Sequence, residues 1–274
     1  MWQFVAASVA GTSHAADSVP CQDAVKVESI QANGSDLLIV ICSDGAGSAT
    51  HAQKGAEKAV ATGMAIVHNY LKVTELRNLS RSQIESWYSM IREALNDEAR
   101  TLGVEISDLH CTLLIAILSR ERSVFAQLGD GAMVIDRGGK LEVVFWPQSG
   151  EFTNTTYFIT GEDFTQHLEI QMIDELVSHF AAFTDGMERL VLNFSGRCPH
   201  EPFFNQMFDT VRSCSNLTSL THDLITFLNS QPVNERTDDD RTLVLAVRTT
   251  GSLNPQQQSS PAVDAVQQLQ NQSW

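Results

Sequence analysis

Four aspartates recur in one kind of setting. Asp44 lies in Ser43-Asp44-Gly45-Ala46-Gly47-Ser48, Asp130 in Leu128-Gly129-Asp130-Gly131, Asp185 in Phe183-Thr184-Asp185-Gly186, and Asp239 in Asp238-Asp239-Asp240-Arg241. Each borders an apolar run, and three are followed by glycine. A single Asp-Gly after a strand makes a turn and nothing more; the fourfold recurrence raises a shared site. Carboxylates fixed at strand ends suit hard divalent cations such as magnesium and manganese. A glycine after three of them lets the backbone approach a cation closely. Four carboxylates at one sheet edge repel one another unless cations neutralise them. Two cations roughly 3.5–4 Å apart activate water and stabilise in-line displacement at phosphorus.

The elements that must hold these residues are legible in the periodicity. Leu37 to Cys42 is a continuous apolar run that reads as a strand buried on both faces, paired with Val25 to Ile30 through an Asn33-Gly34-Ser35 turn. A long helix is expected over 52–73, with Ala56, Ala59, Val60, Gly63, Met64 and Val67 on one stripe. A second is expected from Ser80, its cap, to Leu102, stopped by Gly103, with Ile84, Trp87, Ile91, Leu95 and Ala99 inward and Met90 assigned to the core beside Trp87. Strands follow at 111–118, 124–128, 131–136 and 141–145. The stretches 167–173 and 177–183 read as a further strand pair, 202–228 as helical and 242–247 as the last strand. Residues 147–163 read as a loop or flap. This order fits an α+β fold, two packed antiparallel sheets with helices outside each.

Composition narrows the function. The formal net charge is −15, with no basic stripe, which argues against nucleic acid or an anionic membrane as partner. Cys21, Cys42, Cys111, Cys198 and Cys214 are odd in number and lack CxxC spacing, so reduced thiols and a cytoplasmic setting are expected, with Cys42 and Cys111 as small buried hydrophobes. Phe4 to Ala10 is apolar but follows no lysine or arginine, and reads as a first strand rather than a signal peptide. The chain divides into one domain over 1–248 and a tail over 249–274 rich in Gln, Ser and Asn, expected to be disordered.

Val40-Ile-Cys-Ser-Asp44-Gly-Ala-Gly-Ser48 with Gly55-Ala56, then Phe125-Ala-Gln-Leu-Gly-Asp130-Gly, Phe183-Thr-Asp185-Gly-Met-Glu and Asp239-Asp240-Arg241-Thr242, resemble in order and spacing the metal motifs of the PPM-type protein phosphatases, also called the protein phosphatase 2C family. Gly11-Thr-Ser-His14 and Pro20-Cys-Gln-Asp23-Ala24 resemble the N-terminal region of a bacterial branch. The resemblance implies an αββα sandwich and metal-dependent hydrolysis of phosphoserine and phosphothreonine in proteins. It implies two or three Mg2+ or Mn2+ ions, with Asp44 bridging two of them and the Gly45 carbonyl ligating one. Asp185 and Asp239 would hold the other, and Asp130 with Asp185 a looser third. Asp23 would orient the attacking water. A phosphoprotein substrate, a cognate Ser/Thr kinase as its source and a monomeric state go with this reading.

Departures from the family pattern matter. Ala46 stands where many members carry a histidine proposed as general acid, and Ser18 where many carry a phosphate-binding arginine. Gln22 replaces a usual glutamate and Gly131 a usual serine. His14 is the nearest replacement for either lost function; a capping or solvent-exposed histidine is the plainer alternative. These departures motivate a competing reading, a weak or inactive phosphatase-like module that binds a partner; a phosphatase of small esters or nucleotides is a third. His110 and Cys111 read as packing residues at a strand start, Glu151 as a loop carboxylate, and Asp238 and Asp240 as pointing away from the cations.

Overall fold

The computed structural model describes residues 1–148 and 156–249; Glu151 and the tail beyond Thr249 lie outside the described residues. Two five-stranded antiparallel sheets carry the fold. The first orders its strands β1 (Trp2–Val9), β12 (Arg241–Arg248), β9 (Val177–Phe183), β6 (Ala132–Arg137) and β7 (Lys140–Val143). The second orders β2 (Ala24–Ala32), β3 (Ser35–Ser43), β4 (Leu113–Leu118), β5 (Ser123–Leu128) and β8 (Glu169–Ile173). A two-stranded ribbon, β10 (Leu192–Asn193) with β11 (Cys198–Pro199), stands apart. The expected first strand is present and pairs with β12 in continuous register from Trp2↔Arg248 to Val9↔Arg241.

Three apolar layers alternate with the sheets. Between them, Leu38, Val40, Leu114, Ala116 and Phe125 of one sheet meet Met133, Ile135, Phe180, Ala182 and Val244 of the other. Outside the second sheet, α2 (Ala52–Val73) and α3 (Arg81–Leu102) bury the stripes read from the sequence against Ile39, Ile41 and Ile115. Outside the first, α6 (Glu201–Ser213) and α7 (Leu217–Leu228) pack Phe203, Phe204, Met207, Leu220, Leu224 and Phe227 on Val5, Leu243 and Leu245. Alternate residues of β3 thus serve two cores, and so the run 37–42 is apolar throughout rather than every second residue. This is the αββα sandwich.

Local chemistry sets the boundaries. Asn33 and Gly34 both take positive φ (51° and 77°), the geometry of the tight turn joining β2 to β3. Ser80 caps α3 in a reciprocal capping box with Gln83, worth about 1 kcal/mol.

Some expectations fail. The stretches 167–173 and 177–183 do not pair: β8 joins β5 in one sheet and β9 joins β12 and β6 in the other, so this connection changes layer. His167 belongs to a helical turn, α4 (Phe164–His167), not to the strand. Met90 is exposed (52%) because it falls outside the arc of Ile84, Trp87, Ile91 and Leu95. Short helices α1 (Thr12–Ala16), α5 (Asp185–Val191) and α8 (Gln231–Asn234) lie below the length at which periodicity is readable.

Candidate metal centre

Strand register brings the four aspartate loops to one end of the sandwich. In the second sheet Ala24 pairs with Ser43 and Leu113 with Leu128, so Asp23, Asp44 and the turn after β5 share an edge. In the first sheet Phe183 lies opposite both Leu243 and Ala132, so Asp185, the entry to β6 and the entry to β12 share another. Asp130 sits in the connection from β5 to β6, which passes from one sheet to the other.

Asp44, Asp130 and Asp185 each offer a carboxylate oxygen within 4.8 Å of the others. All three are partly buried. Burial raises the pKa of every one of them, and mutual repulsion adds to it: Asp130 to about 7 with Asp185 as the main neighbour, Asp185 to about 6 with Asp239, and Asp44 well above the usual range with Asp23, Asp185 and Asp130. Asp130 Oδ1 is buried without a hydrogen-bond partner. Oxygens crowded, desolvated and unpaired in this way are a donor set that hard divalent cations satisfy.

Asp239 lies outside this trio. It is exposed, its carboxylate accepts the Asp240 N–H at 2.8 Å, and its charge acts on Asp185 and Asp130 from the rim. Asp23 is 7% exposed. Its Oδ2 accepts hydroxyl bonds from Thr242 (2.7 Å) and Thr184 (2.8 Å), while its Oδ1 is buried and unpaired. Burial is the main reason its pKa rises to about 8.

The glycines have another reason than cation approach. A Cβ on Gly45 would lie 2.7 Å from the Ala52 carbonyl of α2, and one on Gly186 would lie 2.0 Å from the Asp240 carbonyl. Each lets a helix start press against backbone. The Gly45 loop is also clamped by Cys111, through a β-bridge, and by the Asp44 carbonyl accepting Thr112 N–H at 2.8 Å. His110 stacks on Phe158 and bonds Thr160 Oγ1, and Cys111 is fully buried, so both are packing residues as expected.

Ser18 is exposed in a left-handed turn (φ 59°) that ends α1. Arg241 is 1% exposed and spends its guanidinium on the Leu228 and Ala10 carbonyls (2.8 and 2.7 Å) and Asn234, so it stays in the scaffold. All five cysteines are free thiols.

Two residues escaped the sequence reading. Glu188 has a buried, unpaired Oε1, and its pKa rises to about 8 through burial and then the charges of Asp130 and Asp185. The Asp185-x-x-Glu188 spacing was the available signal, since residues three apart share a helix face, but only once α5 is known to be a helix. Asp240, expected to point away from the cations, anchors the N-terminal segment: its carboxylate accepts from Gly11 N (2.6 Å), Gln22 N (2.5 Å) and His14 Nδ1 (2.9 Å).

Comparison with known proteins agrees with this geometry. The chain is 39% identical over 249 residues to Serine/threonine-protein phosphatase 3 of Escherichia coli (strain K12), covering 90% of this chain and 98% of that one. Among solved structures it is similar in fold to the serine/threonine phosphatase Stp1 from Staphylococcus aureus (TM-score 0.61, 13% identity, 91% and 96% of the chains covered). It is likewise similar to the catalytic domain of the serine threonine protein phosphatase PstP in complex with two manganese ions (TM-score 0.60, 15% identity, 90% and 97% covered). The Protein phosphatase 2C profile matches residues 10–229, and with that match and that identity the chain belongs to the protein phosphatase 2C family.

Proposed function

We infer that this protein removes phosphate from phosphoserine and phosphothreonine in proteins, with divalent cations held by Asp44, Asp130, Asp185, Asp239 and the Gly45 carbonyl. The observation that carries the reading is the convergence of Asp44, Asp130 and Asp185 within 4.8 Å in the loops that match the family's motifs. Bound cations would neutralise the phosphate and acidify an attacking water, with magnesium or manganese as the ion. The chain's own groups do the rest. Asp23, its Oδ2 fixed by two threonine hydroxyls, keeps Oδ1 to accept a hydrogen bond from the water and aim it. His14 is held by Asp240, the residue after Asp239, through Nδ1 at 2.9 Å. Arg241 does not take the phosphate in this reading, because its guanidinium is committed to backbone carbonyls. Substrate affinity then depends steeply on cation concentration.

The partners follow from the chemistry: a phosphoprotein, and a Ser/Thr kinase that supplies it. A monomer in the cytoplasm completes the reading, supported by the free thiols; among the described residues no helix is long and apolar enough to cross a membrane. The test is phosphate release from a phosphothreonine peptide. Turnover is expected with manganese and absent after chelation, and Asp44→Asn or Asp185→Asn should lower it at least about 100-fold. Turnover that survives chelation, or none on any phosphopeptide, overturns the reading.

A further inference from the structure

A serine or threonine oxygen is a poor leaving group. As its bond to phosphorus breaks it must receive a proton, and a side chain placed to give one is worth about 10²–10⁴ in rate. Ala46 has no proton to give, Ser18 is an exposed turn residue, and the carboxylates of the cluster are occupied when cations bind. We propose that His14, aimed by the buried carboxylate of Asp240, protonates the departing serine or threonine oxygen. The proposal rests on the phosphatase reading above.

The geometry is built for one orientation of the ring. Asp240 is 2% exposed, and its Oδ1 accepts both the Gly11 N–H and His14 Nδ1 while Oδ2 accepts the Gln22 N–H. Donation from Nδ1 to a carboxylate holds the ring in one orientation and leaves Nε2 as the working nitrogen, which carries a proton to give when the ring is an imidazolium. The backbone under the ring is equally constrained. Ser13 donates to the Asp238 carbonyl through both N–H (3.0 Å) and Oγ (2.7 Å), and a Cβ on Gly11 would lie 2.2 Å from that same oxygen. Helix α1 is therefore seated on the segment 238–240, which sets His14 against Asp240, the residue after Asp239. The ring keeps 19% of its side-chain surface open, which gives it a route to solvent.

In the step, a water oxygen bonds to phosphorus and its proton leaves to solvent. The ester P–O bond breaks, its electron pair goes to the serine or threonine oxygen, and that oxygen takes the Nε2 proton of the His14 imidazolium, leaving a neutral ring protonated at Nδ1 towards Asp240. Solvent returns a proton to Nε2. Asp240 acts through the ring and is a positioning residue.

The full chain with manganese should be compared with His14→Gln and Asp240→Asn on p-nitrophenyl phosphate, phenyl phosphate and a phosphothreonine peptide, in rising order of leaving-group basicity. His14→Gln should lose about 100-fold in kcat on the peptide, with a smaller loss on phenyl phosphate and the smallest on p-nitrophenyl phosphate, whose phenolate needs no proton. Asp240→Asn should show the same gradient, weaker. Should Asp240→Asn fail to fold, the His14→Gln gradient decides alone. Equal losses of His14→Gln on all three substrates would overturn the proposal while leaving the phosphatase reading intact. A wild-type chain inert on all three would overturn both.

Discussion

At the scale of single residues, the two threonines on Asp23 show how the site is pre-set. Thr242 Oγ1 lies 2.7 Å from both Asp23 Oδ2 and Ser8 Oγ, and Thr184 Oγ1 both donates to Asp23 and accepts the Thr242 N–H. Hydroxyl bonds to a buried carboxylate favour its ionised form and so oppose the burial that raises its pKa. Thr242→Val removes one donor and leaves the Asp23 oxygen short of a partner. The expected cost is about 1–3 kcal/mol, read in denaturant unfolding. Phosphopeptide turnover should fall about 10-fold through a less well-ordered water. Unchanged turnover in a folded Thr242→Val protein would remove Asp23 from the mechanism.

At the scale of elements, the junction of β9 with α5 is the tightest part of the site. Asp185 is the first residue of α5, Gly186 the second, and the Asp240 carbonyl of the β12 entry presses where a Cβ would be. One glycine thus sets how closely the two loops carrying Asp185 and Asp239 approach. Gly186→Ala must push them apart. A loss of about 1–3 kcal/mol is expected from overpacking, together with weaker manganese binding. Both can be followed, by thermal melting and by titration calorimetry. A variant with lower stability but native manganese affinity would show that the separation of these loops does not govern the cation site.

At the scale of the whole molecule, the cluster is a stability liability until cations occupy it. Asp23, Asp130 and Asp185 titrate near 8, 7 and 6 in the folded chain against an ordinary 3.8, so the folded state binds protons more tightly than the unfolded one. Stability then falls as pH rises from about 4 through about 8, the opposite of a salt-bridged carboxylate. A net charge of −15 works in the same direction. The chelated protein should melt at a lower temperature at pH 8 than at pH 5, and manganese should raise the melting temperature more at pH 8 than at pH 5. A chelated protein equally stable at both would mean that these carboxylates are not crowded in solution.

The primary structure by itself determined the layers and the identity of the acidic residues. Continuous apolar runs such as 37–42 demand burial on two faces, the stripes of α2 and α3 demand a sheet beneath them, and the Asp motifs stand in a family-specific order. These properties are local in the chain and survive translation into periodicity. The tertiary structure alone decided which carboxylates meet. The tight trio is Asp44, Asp130 and Asp185, with Asp239 at its rim and Glu188 facing it. It also decided that β8 and β9 part into different sheets, and that Asp240 reaches back 226 residues to His14. Those outcomes depend on strand register and on contacts between distant segments, set by the packing of two sheets against each other, which no spacing along the chain encodes.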